Sequence, residues 1–376
     1  MKIGMDTFAC DGGRSGVGMY LTEFLKRVPP SEALFELFGW EYDRYIYSDV
    51  APNFEFIPQC SIQGRTANSI WHIFKYKKFA SLRRFDACFF PAAHRTLPYK
   101  SPCPTVGVVH DMAAFWGNRK TRVHLGALRI VFPNSLRRLD RVIAVSEFVK
   151  QELIERANVK ENRIEVVPNG IDSSSFYPRQ RNEESVLLIQ PFSFRRPYVL
   201  CVSRIDHPIK NHVRLIEAFG IFKEKTNYPH RLVMAGGDSN NANLVKEAVA
   251  ASPWRSDIFF TGHFPLKSLP ELYSGADFVV IPSMYEGFGM GVLEAMACGV
   301  PVLCARAASL PEVADHAALY FDPLDAEDMS DRMITVSTDR DIYNECRRLG
   351  LERAKLFSWD RCVEQTLQII YNTAGK

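Results

Sequence analysis

Two glutamates and three glycines share one short stretch, Pro282-Ser-Met-Tyr-Glu-Gly-Phe-Gly-Met-Gly-Val-Leu-Glu-Ala-Met-Ala-Cys-Gly299. Their spacing suits the binding of an anion beside a set of hydroxyls. The apolar run Phe278-Val-Val-Ile281 before it reads as a buried parallel strand. A loop holding Gly287, Gly289 and Gly291 follows, and the pattern predicts a helix over 292–298 that Gly299 stops. Unpaired backbone N–H groups at a helix start attract anions, so the amides of Met290 and Gly291 are placed to meet a diphosphate. Glu294 then lies beyond the phosphates, where a carboxylate accepts hydrogen bonds from a ribose diol. Glu286 faces the other side, where a sugar fits. The same pattern also describes an ordinary Gly-rich turn with a solvated glutamate at each end, since short Gly-rich motifs recur by chance.

Cations that complete such a site follow the strand Tyr198-Val-Leu-Cys-Val-Ser203, in Arg204-Ile-Asp-His-Pro-Ile-Lys210-Asn211. Arg204 offers a planar fork to phosphate, and Lys210 a mobile point charge. In the first half of the chain, the strand Thr105–His110 ends in His110-Asp111. Open α/β sheets place ligand groups at that C-terminal edge.

The elements that must position these groups alternate between strand and helix. Lys2–Asp6 reads as a first strand, and Phe8-Ala-Cys-Asp-Gly-Gly-Arg-Ser-Gly-Val-Gly18 opens a helix over 17–28 that Pro29-Pro30 ends. The glycines of Gly13-Arg-Ser-Gly16-Val-Gly18 stand at the wrong offsets for a dinucleotide fingerprint, which disfavours a Rossmann dehydrogenase. Short strands are expected near Phe35–Phe38, Tyr45–Tyr47 and Phe54–Ile57, then at Ala87–Phe90, Arg141–Val145 and Ile164–Val167. Ser146 reads as the N-cap of a helix over 147–156. Residues 173–197 turn to Ser, Arg, Glu and Pro with weak periodicity, the best place for a domain boundary. Beyond it, five or six further strands alternate with helices, which predicts a second doubly wound parallel sheet. Two such domains make a cleft, where small ligands usually bind.

Residues 69–84 predict a basic amphipathic helix, with Ile70, Ile73, Phe74 and Leu82 as its apolar positions and Lys75, Lys77, Lys78, Arg83 and Arg84 as its charges. It suits either an anionic membrane surface or an ordinary solvated face. The basic loop Asn118–His124 reads equally as an acceptor contact or as a solvated loop.

Length and composition agree with two soluble domains. A chain of 376 residues suggests about two, and 47% hydrophobic with 24% charged residues is ordinary for full cores. No apolar run reaches about 18 residues, and the N-terminus lacks a secretory layout, so a cytoplasmic protein is expected. Nine scattered cysteines without a Cys-x-x-Cys pair fit reduced thiols rather than a disulfide frame or zinc site. Residues 1–185 hold 26 Lys+Arg against 20 Asp+Glu, and the remainder 20 against 23. That excess suits an anionic acceptor or a membrane surface and is too diffuse for nucleic acid.

With Glu286 and Glu294 inside Pro-Ser-x-x-Glu-Gly-Phe-Gly, Arg204 before Lys210-Asn211, Pro168-Asn-Gly-Ile-Asp172, and His110-Asp111, the chain resembles the large retaining GT-B glycosyltransferase family called family 4. The resemblance covers nearly the whole chain and implies the GT-B fold: two Rossmann-like doubly wound α/β domains facing across a cleft. They would be 1–180 on the acceptor side and 181–357 on the donor side, with 358–376 crossing back as a closing helix. It implies that Glu294 binds the ribose, Glu286 the donor sugar, and Arg204 and Lys210 the diphosphate beside Gly289, Met290 and Gly291. The Gly262-His263-Phe264 turn would line the base pocket, Gly16 would approach the diphosphate from the first domain, and His110 would hydrogen-bond the sugar. No metal or other cofactor is implied. The first loop, Gly12-Gly-Arg-Ser-Gly-Val-Gly18, is longer than the tight Gly-Gly form of many members, which leaves open which glycine meets the phosphate.

Within that family the N-terminal Met-Lys-Ile-Gly-Met-Asp with Gly-Val-Gly-Met-Tyr most resembles bacterial mannosyltransferases of surface polysaccharides. This implies GDP-mannose as donor, a UDP-hexose being the alternative, and a lipid-linked glycan as acceptor at the inner face of the cytoplasmic membrane. A complex with other polysaccharide enzymes fits that setting. A non-hydrolysing nucleotide-sugar epimerase, or a catalytically silent binding subunit of a polysaccharide assembly complex, are the other readings of the same architecture.

Overall fold

The computed structural model describes residues 1–11, 15–29, 33–50, 54–60, 65–113, 134–180, 186–189 and 191–375. The basic loop 118–124 and Gly12, Gly13 and Arg14 of the first glycine loop lie outside the described residues. The chain divides into two units: Met1–Gly170 with Ser358–Lys376, and Ile171–Phe357.

The first unit runs β1 (Lys2–Asp6), α1 (Gly16–Arg27), β2 (Leu34–Trp40), α2 (Glu41–Val50), β3 (Glu55–Cys60), α3 (Arg65–Phe74), α4 (Tyr76–Arg83), β4 (Ala87–Phe90), β5 (Thr105–Val109), β6 (Arg141–Ala144), α5 (Glu147–Ala157) and β7 (Ile164–Val166). Its strands form one parallel sheet in the order β3-β2-β1-β4-β5-β6-β7. β4 and β5 are buried along their whole length, as expected of strands covered on both faces. Ser15 caps α1 by accepting from the Gly18 N–H at 3.3 Å, and Ser146 caps α5 by accepting from Val149 at 3.2 Å.

Two expectations fail here. Tyr45–Tyr47 is not a strand but lies in α2, whose first turn is held by the Asp43 carboxylate accepting from Trp40 N–H at 3.2 Å and from the Thr7 hydroxyl at 3.0 Å. Asp43 and Tyr47 face inward while Tyr42 and Tyr45 face out, the four-residue spacing of a helix. The single helix over 69–84 is two, α3 and α4, parted at Lys75, and its apolar positions point the wrong way. Ile70, Ile73, Phe74 and Leu82 are 50%, 49%, 75% and 72% exposed. Trp71, His72, Tyr76 and Ala80 take the buried face instead, because the Trp71 ring packs on Phe8 at 4.7 Å and Phe38 at 5.8 Å.

The second unit opens with an antiparallel hairpin of β8 (Val186–Ile189) and β9 (Phe192–Arg195). Then follow β10 (Tyr198–Val202), α6 (His212–Thr226), β11 (Arg231–Ala235), α7 (Ala242–Ala251), β12 (Ile258–Gly262), α8 (Leu269–Gly275), β13 (Phe278–Ile281), α9 (Met290–Ala297), β14 (Val302–Ala305), α10 (Leu310–Ala314), β15 (Ala318–Phe321), α11 (Ala326–Thr338) and α12 (Arg340–Ala354). β10–β15 form a second parallel sheet, ordered β12-β11-β10-β13-β14-β15.

The boundary falls at Gly170, earlier than residue 180 and ahead of the polar stretch 173–197. Ile171 N–H reaches Phe357 C=O at 3.4 Å, and the buried Phe176 ring lies 6.1 Å from that of Tyr273, so residues after 170 fold with the second unit. The closing helix α13 (Trp359–Ala374) belongs to the first. Its Thr366 hydroxyl meets Tyr20 Oη at 3.1 Å, and the Trp359 ring sits edge-on to Tyr20 at 5.9 Å. A Cβ on Gly170 would fall 2.0 Å from the Trp359 backbone nitrogen, so only glycine lets the chain pass there.

Candidate functional site

In the second sheet the strand order reverses between β10 and β13, and loops that leave neighbouring strands in opposite senses open a crevice at such a point. Arg204 and Lys210 lie on the loop after β10, and Glu286 and Gly289 on the loop after β13, which leads into α9. Met284 N–H donates to Ile209 C=O at 2.9 Å and pins one loop to the other. Lys210 Nζ then stands 2.5 Å from Glu286 Oε1, in a pair whose side chains are only 15% and 21% exposed. The Ser309 hydroxyl fixes Glu286 from behind by donating to its carbonyl at 2.9 Å.

Gly289 starts α9 with φ at 100°, a left-handed conformation that side chains resist, and no side chain caps the helix. Met290 and Gly291 follow as its first residues. Glu294 sits one turn further in and is buried, with Oε2 accepting from the Tyr273 hydroxyl at 2.8 Å. Burial pushes its carboxyl up to about 7, against the pull of that hydrogen bond. Gly291 makes room for the partner: a Cβ there would come within 3.3 Å of Tyr273 Oη. Tyr273 itself was invisible in the sequence. It stands on α8 with nothing local to tie it to a glutamate 21 residues on, and only the sheet brings them together.

Arg204 is exposed and forms no salt bridge among the described residues. Phe264 is buried, its ring stacked on Phe192 at 5.4 Å and close to Phe194 at 6.3 Å. Its face is thus taken by the β8–β9 hairpin, whereas His263 is exposed and Gly262 has open space about its Cα. In that turn the surfaces left for a ligand are Gly262 and His263.

In the first unit His110 follows β5. Its Nε2 lies 2.9 Å from Pro91 C=O, and a carbonyl only accepts, so Nε2 carries the proton and Nδ1 is left as an acceptor. Burial, then the neighbouring His94, lowers the imidazole to about 3, so it is neutral at physiological pH. The ring contacts Tyr20 at 5.0 Å and His94 at 5.4 Å, both edge-on. His94 was not foreseen: burial lowers it to about 4, and its Nε2 lies 3.9 Å from the Asp111 carboxylate. Burial raises the Asp111 carboxyl, but His94, the Ala113 N–H and His110 outweigh it and hold the group below its ordinary range. Gly16 begins α1, and a Cβ there would meet nothing within 4 Å, so this glycine leaves space open rather than relieving a clash. A further buried pair, His72 Nε2 to Asp6 Oδ2 at 2.7 Å, stands where β1 ends, at the point of strand-order reversal between β1 and β4. Among the described residues no cluster of three His, Cys, Asp or Glu side chains is gathered to hold a metal ion.

Residues 189–353 match the family described as glycosyl transferases group 1, and residues 15–175 match glycosyltransferase family 4. O-antigen chain mannosyltransferase B of Escherichia coli is 32% identical over 227 residues, 60% of this chain and 59% of that protein. Mannosylfructose-phosphate synthase of Agrobacterium fabrum is 29% identical over 243 residues, 62% of this chain and 53% of that one. The matches thus span little more than half the length of these relatives. A sucrose-phosphate synthase structure from Thermosynechococcus elongatus superposes with a TM-score of 0.77 at 17% identity, covering 99% of this chain and 98% of its own. That likeness gives the fold, two parallel-sheet α/β units of GT-B type.

Proposed function

We propose, from the premise that this chain belongs to the group 1 and family 4 glycosyltransferases, that it moves a hexose from a nucleoside-diphosphate sugar to a glycan acceptor with retention at the anomeric carbon. The observation that carries this reading is the Lys210–Glu286 pair at the strand-order reversal, with the uncapped start of α9 on the same loop. Without a donor, each charge of the pair satisfies the other. A diphosphate draws Lys210 away to its own oxygens and frees Glu286 to accept from sugar hydroxyls, so donor binding arms both groups in one exchange. The amides of Met290 and Gly291 and the fork of Arg204 add to the phosphate side, and Glu294, steadied by Tyr273, takes the ribose diol.

Breaking the bond to the anomeric carbon leaves negative charge on the departing diphosphate. Donors already aimed at that charge stabilise the transition state without reorganising. With no second carboxylate assigned as nucleophile, attack comes from the face the phosphate leaves, and a phosphate oxygen takes the acceptor proton. His110, neutral with Nδ1 as its acceptor, accepts from a sugar hydroxyl rather than offering a charge. Gly16 leaves its backbone approachable to phosphate.

The finer reading is mannose from GDP-mannose, passed to a lipid-linked glycan of a cell-surface polysaccharide. It rests on the names of the relatives and on the N-terminal resemblance. The outward Ile70, Ile73 and Phe74 beside the exposed Lys75, Lys77 and Lys78 suit an anionic bilayer, apolar tips entering it and lysines meeting headgroups. Among the described residues no helix is long and apolar enough to cross a membrane.

A thermal-shift panel of UDP, GDP and ADP with their hexoses tests the donor. GDP and GDP-mannose are expected to raise Tm most, and an equal or larger shift with a uridine ligand overturns the guanine assignment. Product analysis without acceptor separates transfer from epimerisation: an epimerised nucleotide sugar in that assay refutes the transferase reading.

A further inference from the structure

The second unit holds a cavity that this reading does not use. It measures about 260 Å³, and Arg179, Ser274, Cys298, Arg340, Tyr343 and Arg347 are among its lining. It lies at the far end of α9 from Met290, since the helix closes at Ala297 and Cys298 and Gly299 form part of the wall. An eight-residue helix puts roughly 12 Å between the two ends.

Among the described residues, three guanidiniums and no carboxylate line this space, and none of the three forms a salt bridge. Arg179 donates to the carbonyls of Ser175 at 2.8 Å and Tyr177 at 3.3 Å. Arg347 gives Nε to the Gly299 carbonyl at 2.8 Å, which leaves both terminal nitrogens of its fork. Arg340 lies over the Tyr343 ring at 4.8 Å and holds no backbone carbonyl among the described residues. Helix ends offset part of this charge. α8 and α9 both finish here, and each C-terminus carries at most roughly half a negative charge. Two such ends leave about two positive charges uncompensated among the described residues around this recess.

We propose that this cavity is a second anion site, taking a small phosphorylated ligand such as inorganic phosphate, diphosphate or a sugar phosphate. Guanidinium forks match phosphate oxygens two by two, and Arg340 and Arg347 are the two forks with terminal nitrogens to give. The volume lies below the ~300–1,000 Å³ of drug-sized sites, which excludes a whole nucleotide sugar and sets the site apart from the donor crevice. Ser274 and the Cys298 thiol line the same recess as uncharged polar walls.

Calorimetry with inorganic phosphate and with diphosphate tests this on the full chain. Saturable binding of both is expected in the unaltered protein, and in Lys210→Ala, which disables the donor crevice alone. In the Lys210→Ala background, Arg340→Gln should weaken the remaining binding about tenfold or more, and Arg340→Gln with Arg347→Gln should abolish it. Arg340 is exposed and holds no backbone carbonyl among the described residues, so the single variant is expected to keep the wild-type Tm and isolates binding from folding. Arg348→Gln is the control: this side chain is on the same helix but is paired with Glu345 and Glu352 outside the cavity. The proposal falls if phosphate fails to saturate, if Arg340→Gln added to Lys210→Ala binds as tightly as Lys210→Ala alone, if Arg348→Gln in that background loses as much, or if Lys210→Ala alone removes all diphosphate binding.

Discussion

Lys210 and Glu286 neutralise one another in the crevice of the second sheet, so a substitution at either leaves the other's charge unpaired. Lys210→Ala is expected to lower kcat by ~10²-fold or more, the scale of losing a preorganised transition-state donor. Near-wild-type turnover in that variant sinks the role given to the pair. Glu294 carries a different signature. Its folded carboxyl is raised from 4.5 to about 7, so the stability tied to its neutral form is complete below about 4.5 and is lost as pH rises through 7. Ribose hydroxyls that donate to the carboxylate favour the ionised form, so nucleotide binding near pH 6 should expel a proton. Calorimetry of nucleoside diphosphate in buffers of differing ionisation enthalpy reads this directly, and heat that ignores the buffer contradicts it. Glu294→Gln should remove the proton release and cost ~1.5–3 kcal/mol of affinity, the range for a hydrogen bond to a charged group.

At the scale of the element, α3 and α4 show why an amphipathic pattern can be read inside out. Both faces of this segment carry apolar groups, and periodicity alone does not rank them. The larger, flatter Trp71 and Tyr76 bury, and Ile70, Ile73 and Phe74 are left outside. That choice separates two kinds of substitution. Phe74→Glu with Ile73→Glu should leave folding within about 0.5 kcal/mol, as exposed changes usually do. The same pair should abolish co-sedimentation with vesicles of an anionic phospholipid, and vesicle binding that survives it rules the segment out as the membrane contact. Trp71→Ala should instead cost ~3–5 kcal/mol of stability, the price of an emptied aromatic site.

For the whole molecule, the chain leaves its first unit at Gly170 and returns to it at Ser358, so the first unit is complete only when the last residues have docked. Trp359→Ala should lower the stability of that unit by ~3–5 kcal/mol, since the ring is buried edge-on to Tyr20. Denaturant unfolding followed through the tryptophans in the first unit checks it, and an unchanged midpoint counts against the docking. The alternation of apolar strands with helices, the two sheets, the loops that bear Arg204, Lys210, Glu286 and His110, and the helix that bears Glu294 were all legible in the residues. Each rests on local pattern, on glycine chemistry, or on a motif a few residues long. What lay beyond reach was every pairing across the fold: Tyr273 with Glu294, His94 with His110 and Asp111, and the three arginines of the second cavity. So did the inward turn of Trp71, the closing of the Phe264 face by the hairpin, and the boundary at Gly170. Sequence determines which groups are present and which elements carry them. Packing alone determines which groups meet, because burial is a contest among side chains far apart in the chain, and it is settled only when the sheets have formed.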